Sequence, residues 1–343
     1  MRQLGLFGDG ISCIGLEDFI KCSKSFDWFK TTTHLGIENE DEINEYYNLQ
    51  YDLNNPPLYL ADPLNATISG KTTFHCFKVL FNDGDSTLVV FRSNEFMKKR
   101  IQAFDIPISL LGDNGHSKLV IDTMLESGFV TFFFKEKYCS LFQKSYPREQ
   151  YDDYYHDIGS EMDKFGNPKW QIDHGIRRIT DGVSGYKIMD IHGMKSMIKP
   201  ALECRRLWWE RKECEGMDSE RRYFQNSLEC NDERIRQIAL VYGSMVLGVK
   251  TVIVYPERQY AVELMYSHVS RSRREISLSH PEMGNIVLSN IEECMRYAVV
   301  SMLSKEGIQR EYWLGFMPKN HSLQNHKNIV STGRIKYFST VKL

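Results

Sequence analysis

The sequence predicts an α/β chain, more strictly α+β, built as two tandem halves, each a mixed, mostly antiparallel sheet flanked by helices. Three observations carry that prediction. The run GNIVLSNIEECMRYAVVSMLSKEG from Gly284 sets Ile286, Val287, Ile291, Met295, Ala298, Val299, Met302 and Leu303 at spacings of three and four, the period of an amphipathic helix. Gly307 then stands where a left-handed residue ends such a helix, and Tyr312, Trp313 and Leu314 follow as a buried strand. Second, this unit has a counterpart. DTMLESGFVTFFF from Asp122 and VSMLSKEGIQREYWLGF from Val300 share Met-Leu, a polar turn of helix, a glycine and an aromatic strand. Third, a hairpin precedes each unit: Thr72 to Leu80 and Ser86 to Arg92 flank Asn82-Asp83-Gly84-Asp85, and Ile235 to Tyr242 and Leu247 to Tyr255 flank Gly243-Ser244-Met245. The same order of elements twice over is the mark of a duplicated unit.

Taken in order, Leu16 to Lys30 mixes apolar and charged residues in a helix-like pattern, with Phe26, Trp28 and Phe29 clustered near its end. An acidic, tyrosine-rich segment from Glu38 to Tyr51 is followed by Asn54-Asn55-Pro56-Pro57, which breaks any regular element. Beyond the first hairpin come the apolar run Ile106 to Leu111, a Gly-Asp-Asn-Gly turn, a helix over Lys118 to Ser127 stopped by Gly128, and the strand Phe129 to Phe134. Gln143 to Arg177 is rich in Tyr, Asp and Lys and poor in aliphatics, which predicts a connector or lid. The second half opens with a helix over Gly193 to Cys214, with Pro200 expected in its first turn, then a helix over Arg221 to Leu228, the second hairpin, and a third strand over Ala261 to Tyr266. The resulting boundaries are an N-terminal half over 1–142, a connector over 143–184 and a C-terminal half over 185–343.

Composition narrows the classes of function. A chain of 343 residues with 42% hydrophobic residues suits two domains with ample cores. A net charge of -2 argues against a general affinity for nucleic acid or anionic membrane, which rests on clustered excess Lys and Arg. The eight cysteines form no CxxC and no zinc-like spacing, so reduced thiols, no metal and a cytoplasmic chain are expected. No stretch approaches eighteen apolar residues, so neither a signal peptide nor membrane insertion is expected. P-loop, GxGxxG, nucleophile-elbow and HExxH motifs do not occur, which weakens NTPase, dehydrogenase, α/β-hydrolase and zinc-protease readings.

Several residues carry candidate chemistry. His280, beside Pro281 and Glu282, is placed to take a proton from an attacking amine or to cap a helix. On a strand over Ala261 to His268, strict alternation puts Glu263, Met265 and Ser267 on one face and Tyr266 and His268 on the other, so only one of these sets can line a cleft. Arg271, Arg273 and Arg274 suit phosphate groups or form a solvated basic loop. Trp208 and Trp209, among Arg205, Arg206 and Arg211, either stack on bases or sugars or pack in the core; adjacent helical residues diverge by about 100°, so one should be core and the other partly exposed.

From about residue 185 the order of elements resembles the GNAT-type acyltransferase fold, in the branch of FemABX aminoacyl transferases and BioF2-like or CelD-like acetyltransferase domains. The residues that carry the resemblance are the Arg-Arg-Leu-Trp-Trp helix at Arg205–Trp209, the helix around Phe224, the strand pair over Ile238–Val254, the tyrosine strand near Tyr260–Tyr266, Ser279-x-Pro281-x-x-Gly284 before a long helix, an aromatic strand and a closing pair at His326-Lys327. That branch is built of two GNAT-like halves. The resemblance implies an N-acyltransferase or aminoacyltransferase, with acyl-CoA or aminoacyl-tRNA as co-substrate, no permanently bound cofactor, and a small-molecule or cell-envelope precursor as acceptor. It implies that Lys327 stabilises the oxyanion of acyl transfer, although His326 stands where the branch has an aromatic residue. His280 and Glu263 join Lys327 as catalytic candidates. Arg271, Arg273, Arg274, Ser279 and Gly284 become donor-binding candidates, in place of the glycine-rich pyrophosphate turn that CoA-dependent relatives carry. Tyr266, His268, Trp208 and His326 become candidates for the substrate cleft. The competing expectation is a non-catalytic protein that keeps the fold as a binding or scaffold module.

Overall fold

The first hairpin fixes the geometry of the first sheet, because its turn leaves few choices. Gly84 takes a left-handed φ of +94°, Asp83 accepts the backbone N–H of Asp85 at 3.0 Å, and the Phe81 N–H reaches the Asp85 carbonyl at 2.8 Å. The computed structural model describes residues 29–35, 39–56, 64, 68, 72–94, 101–104, 108–109, 114–127, 130–142, 148–158, 186–212, 217–269, 291–318 and 331–340. The helix predicted over Leu16 to Lys30 falls almost wholly outside them. The chain divides into two units, one of Met1–Asp153, Phe316–His321 and Ile335–Leu343, the other of Tyr154–Gly315 and Ser322–Arg334.

In the first unit, β1 (Phe29–Leu35), α1 (Glu40–Gln50), β2 (Thr72–Phe81), β3 (Ser86–Asn94), β4 (Ile101–Phe104), the short β5 (Ile108–Ser109), α2 (Asn114–Ser127) and β6 (Val130–Lys135) follow one another. Strands β1 to β4 are antiparallel neighbours. Helix α2 then carries the chain across to β6, which lies parallel to β4, as a parallel pair requires. β7 (Arg148–Asp157) begins in this unit and ends in the second. The outer neighbour of β6 in the first unit is a strand from far along the chain, described below. His116, in the first turn of α2, reaches Asp85 through Nδ1 at 2.5 Å and Asp83 through Nε2 at 3.0 Å and stacks on Phe81, tying the hairpin turn to the helix.

The acidic, tyrosine-rich segment is helix α1. Ile43, Tyr46, Tyr47 and Tyr51 are its buried stripe against Leu35, Cys76, Leu88 and Val90, while Glu40, Asp41 and Glu42 in its first turn complement the helix dipole. The predicted break follows as a tight turn in which Asp52 accepts the N–H groups of Asn54 and Asn55 at 2.7 and 2.9 Å.

The second unit repeats the plan. β8 (Tyr186–Asp190), α3 (Lys195–Lys212), α4 (Met217–Glu229), β9 (Ile235–Tyr242), β10 (Met245–Tyr255), β11 (Tyr260–His268), α5 (Ile291–Lys305) and β12 (Arg310–Pro318) follow in order. β8 to β11 are antiparallel, and α5 crosses to β12, parallel to β11. The last strand, β13 (Gly333–Thr340), pairs antiparallel with β6 and so completes the sheet of the first unit. Both units therefore share the order antiparallel hairpin, third strand, helix, parallel strand, and each is the mixed, mostly antiparallel sheet flanked by helices that the sequence predicts. Helix α5 packs close over β9 and β10: a Cβ on Gly248 would sit 2.8 Å from Met295 Cγ, so only glycine leaves room. Ile238, Val252, Val254, Ala261, Ala298, Val299, Leu303 and Ile308 form the core between them.

Two local expectations are corrected. Pro200 is not in the first turn of α3; the turn from Ile191 to Met194 starts the helix at Lys195, so Pro200 is an interior residue that costs one backbone hydrogen bond. The segment read as connector or lid contains β7, whose Asp152, Tyr154 and His156 are buried at a strict period of two that Ile158 continues just beyond the strand.

Candidate functional site

Strand β10 reads MVLGVKTVIVY, and its one charged residue, Lys250, is buried in the sheet. A buried ammonium must be paired. Its partners come from the next two strands: Lys250 Nζ lies 2.7 Å from Glu263 Oε2 on β11 and 2.6 Å from Glu311 Oε1 on β12. Glu311 also accepts the indole N–H of Trp313 at 3.0 Å, and the ring of buried His156 stacks on Trp313 at 5.6 Å. The rings of Tyr266 and Trp313 stand 5.9 and 5.8 Å from Lys250 Nζ, within cation–π range. Burial, the largest influence on Lys250, pushes its ammonium down, but the two carboxylates together outweigh it, so the group is held above its usual range.

The cluster sits at a break in the sheet. β10 and β11 stay in register from Gly248↔His268 to Thr251↔Met265 and resume at Val252↔Glu263, a β-bulge that leaves Leu264 without a partner on β10. The parallel register of β11 with β12 runs from Tyr260↔Arg310 to Glu263↔Trp313 and ends there, so Leu264 has no register partner on either neighbour. Bulges of this kind re-aim side chains and gather beside active sites. Here the extra residue overturns the strict alternation expected for β11. Tyr266 faces the same way as Lys250 and Glu263 the same way as Val252, which puts Glu263, Tyr266 and His268 on one face together, with Ser267 on the other.

Glu263 is the most accessible of the three charged groups, with 19% of its side chain exposed against 9% for Lys250 and 4% for Glu311. A partly open carboxylate is suited to accept a proton, and a backbone amide re-aimed by a bulge is suited to donate to an oxyanion.

Of the residues singled out in the sequence, Glu263, Tyr266 and His268 share this face; His268 turns Nδ1 toward the Val269 carbonyl at 2.9 Å. Trp208 is half-buried on α3 and Trp209 is buried, with the Arg205 guanidinium 4.6 Å from each ring. Lys327, His326, His280, Arg271, Arg273, Arg274, Ser279 and Gly284 lie outside the described residues. Lys250, Glu311 and His156 were not predicted. A signal was available for the cluster: VLGVKTVIV and AVELM each carry a lone charge in an apolar run, and Glu311 leads the aromatic run YWL, and buried charges need partners. Among the described residues no group of three or more His, Cys, Asp or Glu could hold a metal ion, and no helix is long and apolar enough to cross a membrane.

No family model matches the chain, and no curated protein matches it. Solved structures do. A conserved protein of unknown function from Bacteroides thetaiotaomicron is similar at 13% identity and a TM-score of 0.59, over 91% of this chain and 99% of that one. L-PGS from Bacillus licheniformis is similar at 12% identity and a TM-score of 0.55, over 88% and 91%. FemX is similar at 8% identity and a TM-score of 0.53, over 91% and 97%. At such identities the likeness is one of fold, and the fold is GNAT-like.

Proposed function

We propose that this chain is an acyltransferase that moves an acyl or aminoacyl group from an acyl-CoA thioester or an aminoacyl-tRNA to an acceptor amine by direct attack, within the FemABX or BioF2-like branch. The observation that carries the reading is the Lys250–Glu263–Glu311 cluster beside the bulge at Leu264 of β11. Glu263 takes a proton from the acceptor ammonium, directly or through water. The freed amine attacks the acyl carbonyl, and the Leu264 amide donates to the oxyanion of the tetrahedral intermediate. Collapse breaks the C–S bond of the thioester, or the ester C–O bond of the aminoacyl-tRNA, and the leaving group takes up the amine's second proton. Lys250, with its charge held by two carboxylates, orients Glu263 and is not itself a nucleophile. Lys327 and His280 are proposed to act on the same carbonyl and amine, and Arg271, Arg273, Arg274, Ser279 and Gly284 to hold the donor's phosphates. A small molecule or a cell-envelope precursor is the proposed acceptor.

The test is thermal unfolding with acetyl-CoA, longer acyl-CoAs and aminoacyl-tRNA, since a donor at 100 times its dissociation constant adds about 2.7 kcal/mol. Turnover of the stabilising donor then compares wild type with Glu263→Gln, which keeps the shape and loses the base. The expected loss in kcat is about 10²- to 10⁴-fold. No stabilisation by any donor removes the transferase reading in favour of a binding module, and full turnover by Glu263→Gln removes Glu263 as the base.

A further inference from the structure

Within the Arg-Arg-Leu-Trp-Trp stretch of α3, Arg205 and Trp209 are turned into the interior. Arg205 is only 4% exposed. Its guanidinium lies 4.6 Å from the rings of both Trp208 and Trp209 and 6.0 Å from that of Phe224 on α4. From that aromatic seat Nη1 donates to the Tyr266 carbonyl at 3.0 Å and to Ser267 Oγ at 2.8 Å. Both acceptors belong to the limb of β11 beyond the bulge, where the register with β12 has already ended at Glu263↔Trp313. Backbone groups that a partner strand would have satisfied must find other partners when buried, and for Tyr266 that partner is Arg205.

We infer that Arg205 is a positioning residue that holds the outer limb of β11, Leu264 to His268, apart from β12 and so fixes the bulge and the Glu263 carboxylate beside it. Arg205 works through the strand: its bond to Ser267 lies on the face opposite Lys250. Arginine suits the position because a planar guanidinium stacks on the tryptophans and still presents its N–H groups to two acceptors, which a lysine ammonium cannot do. The role in catalysis rests on the transferase reading above, whereas the hold on the strand does not.

The experiment therefore has two readouts on the full chain, with Arg205→Lys as the variant. Hydrogen exchange followed by mass spectrometry should show amides of residues 264–268 exchanging at least about tenfold faster, while those of 235–255 change less than about twofold. Ser267→Ala, which removes one acceptor and leaves the arginine in place, should show the same local pattern at smaller amplitude and covers the case in which Arg205→Lys does not fold. Exchange that is unchanged, or raised uniformly across the second unit, overturns the inference. With acetyl-CoA or whichever donor wild type turns over, Arg205→Lys should lower kcat at least tenfold with the donor KM unchanged, while Val241→Ala, a buried change in β9, should lower the melting temperature without that loss. A kcat that falls equally in both variants reduces Arg205 to a stabilising residue. Failure of wild type to turn over any donor sinks the transferase reading, and the exchange result alone then decides the hold on β11.

Discussion

Replacing Lys250 with Met isolates the energetic weight of the buried cluster. The substitution keeps most of the length of the side chain and removes the ammonium that faces Glu263 and Glu311 at 2.7 and 2.6 Å. Two like charges are then left in a site where Glu311 is 4% and Glu263 19% exposed. Breaking a buried pair from one side costs roughly 3–5 kcal/mol, and at about 2–4 °C per kcal/mol for a unit of this size the melting temperature of the second unit should fall by about 6–20 °C. The assay is urea unfolding followed by tryptophan fluorescence, comparing midpoints at constant slope. Because Lys250 is held above its usual range, its contribution is fully present below the unfolded value of about 10.4 and is lost only as pH rises through the higher folded value, so the deficit should be constant from pH 6 to 9. Removing all three charges at once, as Lys250→Met with Glu263→Leu and Glu311→Leu, should recover most of the lost stability. A Lys250→Met protein within about 1 kcal/mol of wild type would refute the reasoning, since charges that cost nothing to strand are not held in a dry cluster.

Other perturbations have similarly definite outcomes. A Cβ at Gly333 would land on the ring of Tyr155, so Gly333→Ala should cost about 1–3 kcal/mol in urea unfolding, and Tyr155→Leu should restore part of it. Burial pushes the Cys76 thiol well above its usual range, so a brief iodoacetamide pulse at pH 8, mapped by mass spectrometry, should label the partly exposed Cys139 and Cys230 and leave Cys76 and Cys204 untouched. Burial raises the Asp232 carboxyl, but the hydrogen bonds and charge of Arg234 outweigh it and leave the group below its usual range. Its contribution is therefore present above about pH 4 and lost as pH falls through the depressed folded value, so Asp232→Asn should lower the melting temperature more at pH 7 than at pH 3.

Much of the architecture is legible in the sequence because it is written in local periods. The two hairpins announce themselves by turn residues, and the two helix–glycine–strand units by the spacing of Val120, Ile121 and Leu125 and of Met295, Ala298, Val299 and Leu303. Helix α1 hides because its apolar stripe is tyrosine under acidic neighbours, and β7 because its buried positions include Asp152 and His156. The bulge at Leu264 is a property of two strands in register rather than of AVELMY, so strict alternation misassigns Tyr266 and His268 relative to Glu263. The cluster is missed for the same reason. Lys250, Glu263 and Glu311 are 61 residues apart at the extremes, and only the order β10, β11, β12 makes them neighbours.

The pairing of β13 with β6 also bears on the birth of the protein. Lys135 and Tyr337 face each other across 202 positions of chain, and at about 5–20 residues per second a ribosome takes roughly 10–40 s to make the intervening stretch. Throughout that interval the nascent chain displays the VTFFFK strand with one margin bare, an aromatic template for any other β-segment in the crowded exit zone. A helper that shields this margin during synthesis would be needed for tens of seconds per molecule and no longer, since the arriving β13 takes its place.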